Sequence, residues 1–162
     1  MTAIDVALEV LHGEDPAQGL PAGPLREGVA DAGLGFAAIG GPLGARWRQA
    51  LVELAGCIRR LGDVGDPVLV EGGAYPGAWV ESTASISVEV LARFAPAVAR
   101  STHLRIASLA REDGLLPYKV TDDGPAFSQI QMVTPLARTV WNVFGLTGAD
   151  DLAYLRTMYD AM

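Results

Sequence analysis

The chain has 162 residues, 50% of them hydrophobic, which is enough for one ordinary domain with a substantial core. Its 12 basic and 19 acidic residues leave a net charge of −7, so there is no general attraction to phosphate backbones or anionic lipid, and neither nucleic acid nor a membrane is an expected partner. Cys57 is the only cysteine, which excludes an internal disulfide and a cysteine-based zinc cluster. With no basic n-region ahead of Ile4 and Val6 and no apolar run of membrane length, a cytoplasmic location is expected.

Residues 1–42 carry Asp5, Glu9, Glu14, Asp15, Glu27 and Asp31 against Arg26 and are crowded with Gly and Pro from Gly13 onward. They read as an irregular acidic lead-in to a domain spanning 43–162. From Leu43 the pattern changes. Leu43, Trp47, Leu51, Leu54, Ile58 and Leu61 recur at helical spacing and predict a helix ending by Gly62. Val68-Leu69-Val70 is a short extended stretch, and Tyr75-Pro76-Gly77 is turn chemistry, which places Tyr75 and Trp79 on a loop or its rim.

Ser82 or Thr83 can cap a helix with Ile86, Val90, Leu91 and Phe94 on one face, and Pro96 is placed to open a second helix running to about Arg111. Together they make a helical hairpin. Asp113-Gly114 stops it, and Pro117 with Asp122-Asp123-Gly124-Pro125 predicts an irregular segment. Thr134-Pro135 then starts a helix running to about Phe144, with Leu136, Val140, Trp141 and Phe144 inward. After Gly145 and Gly148, Asp150 or Asp151 begins a last helix in which Leu152, Leu155, Met158, Tyr159 and Met162 repeat at three and four. No Gly, Asn or Pro stop precedes the final Met162, so the apolar face is still running there and truncation is expected.

Chemistry concentrates in three places. Tyr75-Pro76-Gly77-Ala78-Trp79-Val80-Glu81-Ser82 sets two aromatics and a carboxylate at a loop-to-helix junction. Sugars offer apolar C–H faces to rings and hydroxyls to carboxylates and amides, and this segment supplies both kinds of partner. Arg111-Glu112-Asp113-Gly114-Leu115-Leu116-Pro117-Tyr118 is a turn that swings an aromatic back after a helix, and Phe127-Ser128-Gln129-Ile130-Gln131 precedes a helix start. The bland alternatives are core-edge aromatics, an ordinary helix end and solvated loop polars. His12 and His103 have no carboxylate at ligand spacing, so no metal is expected, and no phosphate-cradling glycine motif is present, so no cofactor is expected either.

In order and spacing, YPGAW, EDGLLPYKV and SQIQMVTPLA together resemble the first hairpins of the six-hairpin, (α/α)6-toroid glycosidases. They are most similar to the bacterial glucosylglycerate and mannosylglycerate hydrolases and their α-glucosidase relatives. The resemblance covers roughly 71–162 and implies a mainly α fold of antiparallel helical hairpins forming an incomplete toroid. It implies that Tyr75 and Trp79 pack on a sugar and that Gln131 hydrogen-bonds one of its hydroxyls. Two departures stand out. Val80-Glu81-Ser82 replaces an aromatic and an aspartate, so Glu81 takes the carboxylate position or the contact is lost. Met132-Val133-Thr134 separates Gln131 from Pro135, which leaves the register of Gln129 against Gln131 open.

A closed ring needs ~200 residues for its helices and short connections alone, and the family's general acid and base fall in later loops. Glu81, Asp113, Asp122 and Asp123 carry no expectation of catalysis. The resemblance therefore implies the N-terminal portion of a glycoside hydrolase, with carbohydrate as partner and catalytic residues unassigned. Two other readings stand beside it: a small helical interaction module in which Trp47, Trp79 and Trp141 are core, and an oligomer that completes a missing half by self-association.

Overall fold

The computed structural model describes residues 15–32, 42–62, 65–129 and 136–162. They are mainly α-helical. The chain divides into two compact units, Met1–Gly56 and Cys57–Met162.

In the first unit, the segment expected to be irregular holds a helix, α1 (Pro24–Ala32). Pro24 stands at its first position, where a missing N–H costs nothing, and Leu25 and Val29 are buried one turn apart. Such a short amphipathic stretch is easily hidden among glycines. The Arg26 guanidinium donates to the Leu20 carbonyl at 2.7 Å and holds the preceding turn. Helix α2 (Leu43–Gly56) buries Leu51, but it ends at Gly56, before Ile58 and Leu61.

The second unit is built around one helix. Strands β1 (Ile58–Arg59) and β2 (Val68–Leu69) pair antiparallel, Ile58 opposite Leu69. Helix α3 (Val80–Ile86) passes through a π-helical turn, Ser87–Leu91, into the single turn α4 (Ala92–Phe94). Pro96 then opens α5 (Pro96–Ala107), as its position predicts. This run of helix packs along α5, giving the expected hairpin. The π turn inserts an extra residue and rotates the face that follows: Thr83, Ala84, Ser87, Leu91 and Phe94 are buried, while Ile86 and Val90 are only half-buried.

Neither Ser82 nor Thr83 caps α3. Trp79 is held extended by strand pairing, with φ −94° and ψ 131°, and the Val80 N–H donates to the Tyr118 carbonyl at 3.0 Å. The pairing of β3 therefore starts the helix at Val80, so Ser82 and Thr83 already lie inside its first turn rather than ahead of it. Helix α5 stops at Ala107 rather than near Arg111.

The segment after Pro117 is not irregular. Strands β4 (Lys119–Thr121) and β5 (Gly124–Ala126) form a hairpin across Asp122-Asp123, and β3 (Ala78–Trp79) pairs with β4 to give the order β3-β4-β5. Pro125 is tolerated because β5 is an edge strand. Asp122 accepts from Arg59 Nη1 at 3.0 Å and from the Gly62 amide at 2.8 Å, and these bonds, the Gly62 one foremost, hold its carboxyl below the usual carboxylate range.

Helices α6 (Leu136–Leu146) and α7 (Leu152–Ala161) pack on each other and on α5. Asp151 caps α7, its carboxylate accepting from the Tyr154 amide at 2.9 Å. Leu136, Val140 and Phe144 point inward as expected, but Trp141 does not. On α7 the buried residues are Tyr154 and Met158, while Leu152, Tyr159 and Met162 are exposed.

The centre of the unit carries two polar ties. Thr102 Oγ1 accepts from the Leu69 amide at 2.9 Å and donates to the Val98 carbonyl at 2.7 Å, locking β2 to α5. His103 Nδ1 and the Tyr154 hydroxyl share a hydrogen bond of 2.7 Å that joins α5 to α7.

Candidate functional site

The YPGAW segment folds into a tied loop. Glu71 donates its amide to the Gly77 carbonyl at 2.8 Å and closes the neck, leaving Gly72 to Pro76 as a protrusion with Tyr75 exposed on it. Gly77 is required twice over. Its φ is +120°, and a Cβ there would lie 2.6 Å from the Val120 carbonyl oxygen and 2.9 Å from Thr121 Cγ2. That close approach lets β3 pair with β4 in the register Ala78–Val120 and Trp79–Lys119.

The register assembles a cluster of rings. Tyr75 meets Trp79 edge-on with centroids 5.9 Å apart, and Tyr118 lies tilted against Trp79 at 5.4 Å. Lys119, across the sheet from Trp79, sets its ammonium 5.0 Å from the Trp79 ring and 5.7 Å from that of Tyr118. Tyr118 is fixed by its backbone, which accepts from Val80 and donates to the Ala126 carbonyl at 3.0 Å. Trp79 itself is half-buried, and its Nε1 is enclosed without a hydrogen-bond partner.

Two carboxylates belong to the same neighbourhood. Burial pushes the Glu71 carboxyl above its ordinary value, and the negative charge of Glu81 pushes it further in the same direction. Glu81 is exposed in the first turn of α3. Rings, an ammonium and two carboxylates together make a surface on which an apolar face can lie while hydroxyls find donors and acceptors at its edge.

The sequence-predicted residues fare unequally. Tyr75 and Trp79 are brought into contact. Gln129 is exposed beyond β5, and Gln131 lies outside the described residues. Tyr118, Lys119 and Glu71 were not assigned to the site from sequence. The signal for the first two was Asp122-Asp123-Gly124 between short strands, a hairpin turn that folds Lys119 and Tyr118 back beside β3.

Ahead of Tyr118, the Arg111–Leu115 turn is held by its own contacts and brings no further residue to the ring cluster. Arg111 pairs with Asp113, whose carboxyl is held down at about 2 by that guanidinium and by the Leu115 amide, and Arg111 also lies 5.4 Å over the Phe127 ring. Among the described residues no group of three or more His, Cys, Asp or Glu is gathered for a metal, and no helix is long and apolar enough to cross a membrane. No protein-family model, curated protein or solved structure matches the chain.

Proposed function

We propose that the Tyr75–Trp79–Tyr118 surface binds carbohydrate, and that the chain corresponds to the N-terminal portion of a six-hairpin, incomplete (α/α)6-toroid glycoside hydrolase acting on a glucoside. In this reading it contributes sugar-binding residues rather than the general acid and base. The observation that carries the reading is the contact of Trp79 with two tyrosines, 5.9 and 5.4 Å away, with the Lys119 ammonium 5.0 Å from its ring and Glu81 exposed two residues on. Laying a pyranose on these rings costs little further ordering of the protein, because the rings are already fixed by strand pairing and by the tied loop. Lys119 donates to ring hydroxyls and the carboxylates accept from them, which gives directionality that an apolar surface lacks. The helical hairpin of α3 to α5 and the α6–α7 pair that follows support the toroid reading.

The test is a tryptophan-fluorescence titration with methyl α-glucoside, methyl β-glucoside and maltose. Saturable quenching is expected, lost in Trp79→Ala and retained in Trp141→Phe. Quenching that persists in Trp79→Ala, or none at high millimolar saccharide, overturns the proposal.

A further inference from the structure

On the side of α6 and α7 turned away from α5, the two helices enclose an open groove of about 560 Å³ lined by Val140, Trp141, Leu152, Leu155, Tyr159 and Met162. Trp141 is 61% exposed, Leu152 67%, Tyr159 76% and Met162 53%. We propose that this face pairs with the same face of a second copy of the chain, α6 and α7 of each copy forming one apolar layer across a two-fold axis.

Three observations select that occupant. The first is extent. The four exposed side chains present roughly 500 Å² of mostly apolar surface, taking a buried aromatic as about 150–250 Å². A stable interface takes about 800 Å² from each partner with a polar rim around an apolar centre, so this patch is the right size for the centre.

The second observation is shape. A groove rimmed by half-free rings leaves a small ligand too exposed to be held, since ligand sites bury most of their occupant. Two copies solve this together. The protruding Trp141 and Tyr159 of one fill the groove of the other, and an isologous contact repeats each insertion twice.

The third is charge. The guanidinium at the groove, Arg156, is already paired with Asp160 one turn along the same helix at 3.1 Å. Bringing two such faces together opposes no uncompensated like charges at the centre. The net charge of −7 still repels the copies at long range, so added salt strengthens the pairing by screening.

The inference uses none of the residues of the carbohydrate surface, so its test and the saccharide titration fail separately. Its test is sedimentation velocity of the full chain across the micromolar range at low and high salt. A dimer is expected, favoured by salt. Trp141→Glu and Tyr159→Lys should each weaken it by roughly 30-fold or more, as for buried aromatic anchors. Both side chains are exposed in the single copy, so circular dichroism and melting of the dilute variants should match the parent. Tyr75→Ala should leave the dimer intact. A parent chain that stays monomeric, because the groove serves another protein or a small apolar molecule, overturns the proposal. So does a dimer that survives both groove substitutions.

Discussion

The surface around Trp79 and the face around Trp141 use the same residue types, and they differ in what surrounds the rings. Trp79 is in contact with Tyr75 and Tyr118, with an ammonium over its ring and Glu81 two residues on. Trp141 stands on a helix with the Phe144 ring 5.9 Å away, and its exposed side faces Leu, Tyr and Met with one ion pair at the margin. Rings with fixed neighbours and mixed polarity suit a small, hydroxyl-rich partner. Rings among aliphatics, on a face two helices wide, suit another protein surface. Exposure of an aromatic alone does not distinguish these roles, but its neighbours do.

The substitution expected to cost most attacks only the first surface. Gly77→Ala puts a side chain where φ is +120° and where the Cβ meets the Val120 carbonyl at 2.6 Å. Neither the backbone angle nor the β3–β4 register can relax without separating Trp79 from Lys119. Strain and overpacking together should cost about 4 kcal/mol, read as a lower urea midpoint. Gly72→Ala, with negative φ and only a 3.5 Å contact to Cys57 Sγ, should cost little and serves as its control.

Acid should loosen the other side of the unit. His103 is fully buried between α5 and α7, and burial lowers its pKa from 6.5 to about 4. Below pH 6.5 the unfolded chain takes up a proton that the folded chain refuses until about pH 4. Stability therefore falls as the pH drops through that window, by about 3 kcal/mol in all. Glu71, raised by burial, works weakly in the opposite direction, because it gains a proton in the folded state first. Urea midpoints taken from pH 7 to 4 should show the decline in the parent chain and a flatter profile in His103→Leu.

The tie beneath both surfaces is smaller in effect. Thr102→Val keeps the shape of the side chain but leaves the buried Leu69 amide without its acceptor. A loss of about 2 kcal/mol is expected in chemical denaturation, with Ser101→Ala milder because Ser101 is only half-buried.

Which parts of this molecule were legible in the sequence follows from how local the cause is. Pro96 at a helix start, a cap at Asp150 or Asp151 and the inward Leu136, Val140 and Phe144 are decided within one or two turns, and the structure bears them out with Asp151 as the cap, while Trp141, expected inward with them, turns out. The start of α3 is decided by pairing with a segment some forty residues later: β3 pairs with β4 and the Val80 amide donates to the Tyr118 carbonyl, so the helix begins ahead of Ser82 and Thr83. The same distant pairing brings Tyr118 and Lys119 to Trp79, which is why half of the ring cluster was invisible from YPGAW alone. On α7 the spacing of Leu152, Leu155, Met158, Tyr159 and Met162 marked an apolar stripe, but periodicity cannot say which part of it faces the core: Met158 is buried, joined by Tyr154 from outside the stripe, while Leu152, Tyr159 and Met162 are exposed.

The smallest expected effect separates the two surfaces most cleanly, because it compares adjacent residues on one helix. Val140 is 1% exposed and Trp141 is 61% exposed. Val140→Ala removes buried methyl groups and should cost about 2 kcal/mol at any protein concentration. Trp141→Ala removes the larger side chain yet should change the stability of dilute protein by no more than about 0.5 kcal/mol, since its ring gains little by folding alone. At high protein concentration the order should change. There the parent melts later than it does when dilute, because pairing favours the folded state, and Trp141→Ala loses that increment while Val140→Ala keeps most of it. A Trp141→Ala penalty as large in dilute protein as in concentrated protein would mean that the ring already stabilises the single copy, and the α6–α7 face would then need no partner to account for it.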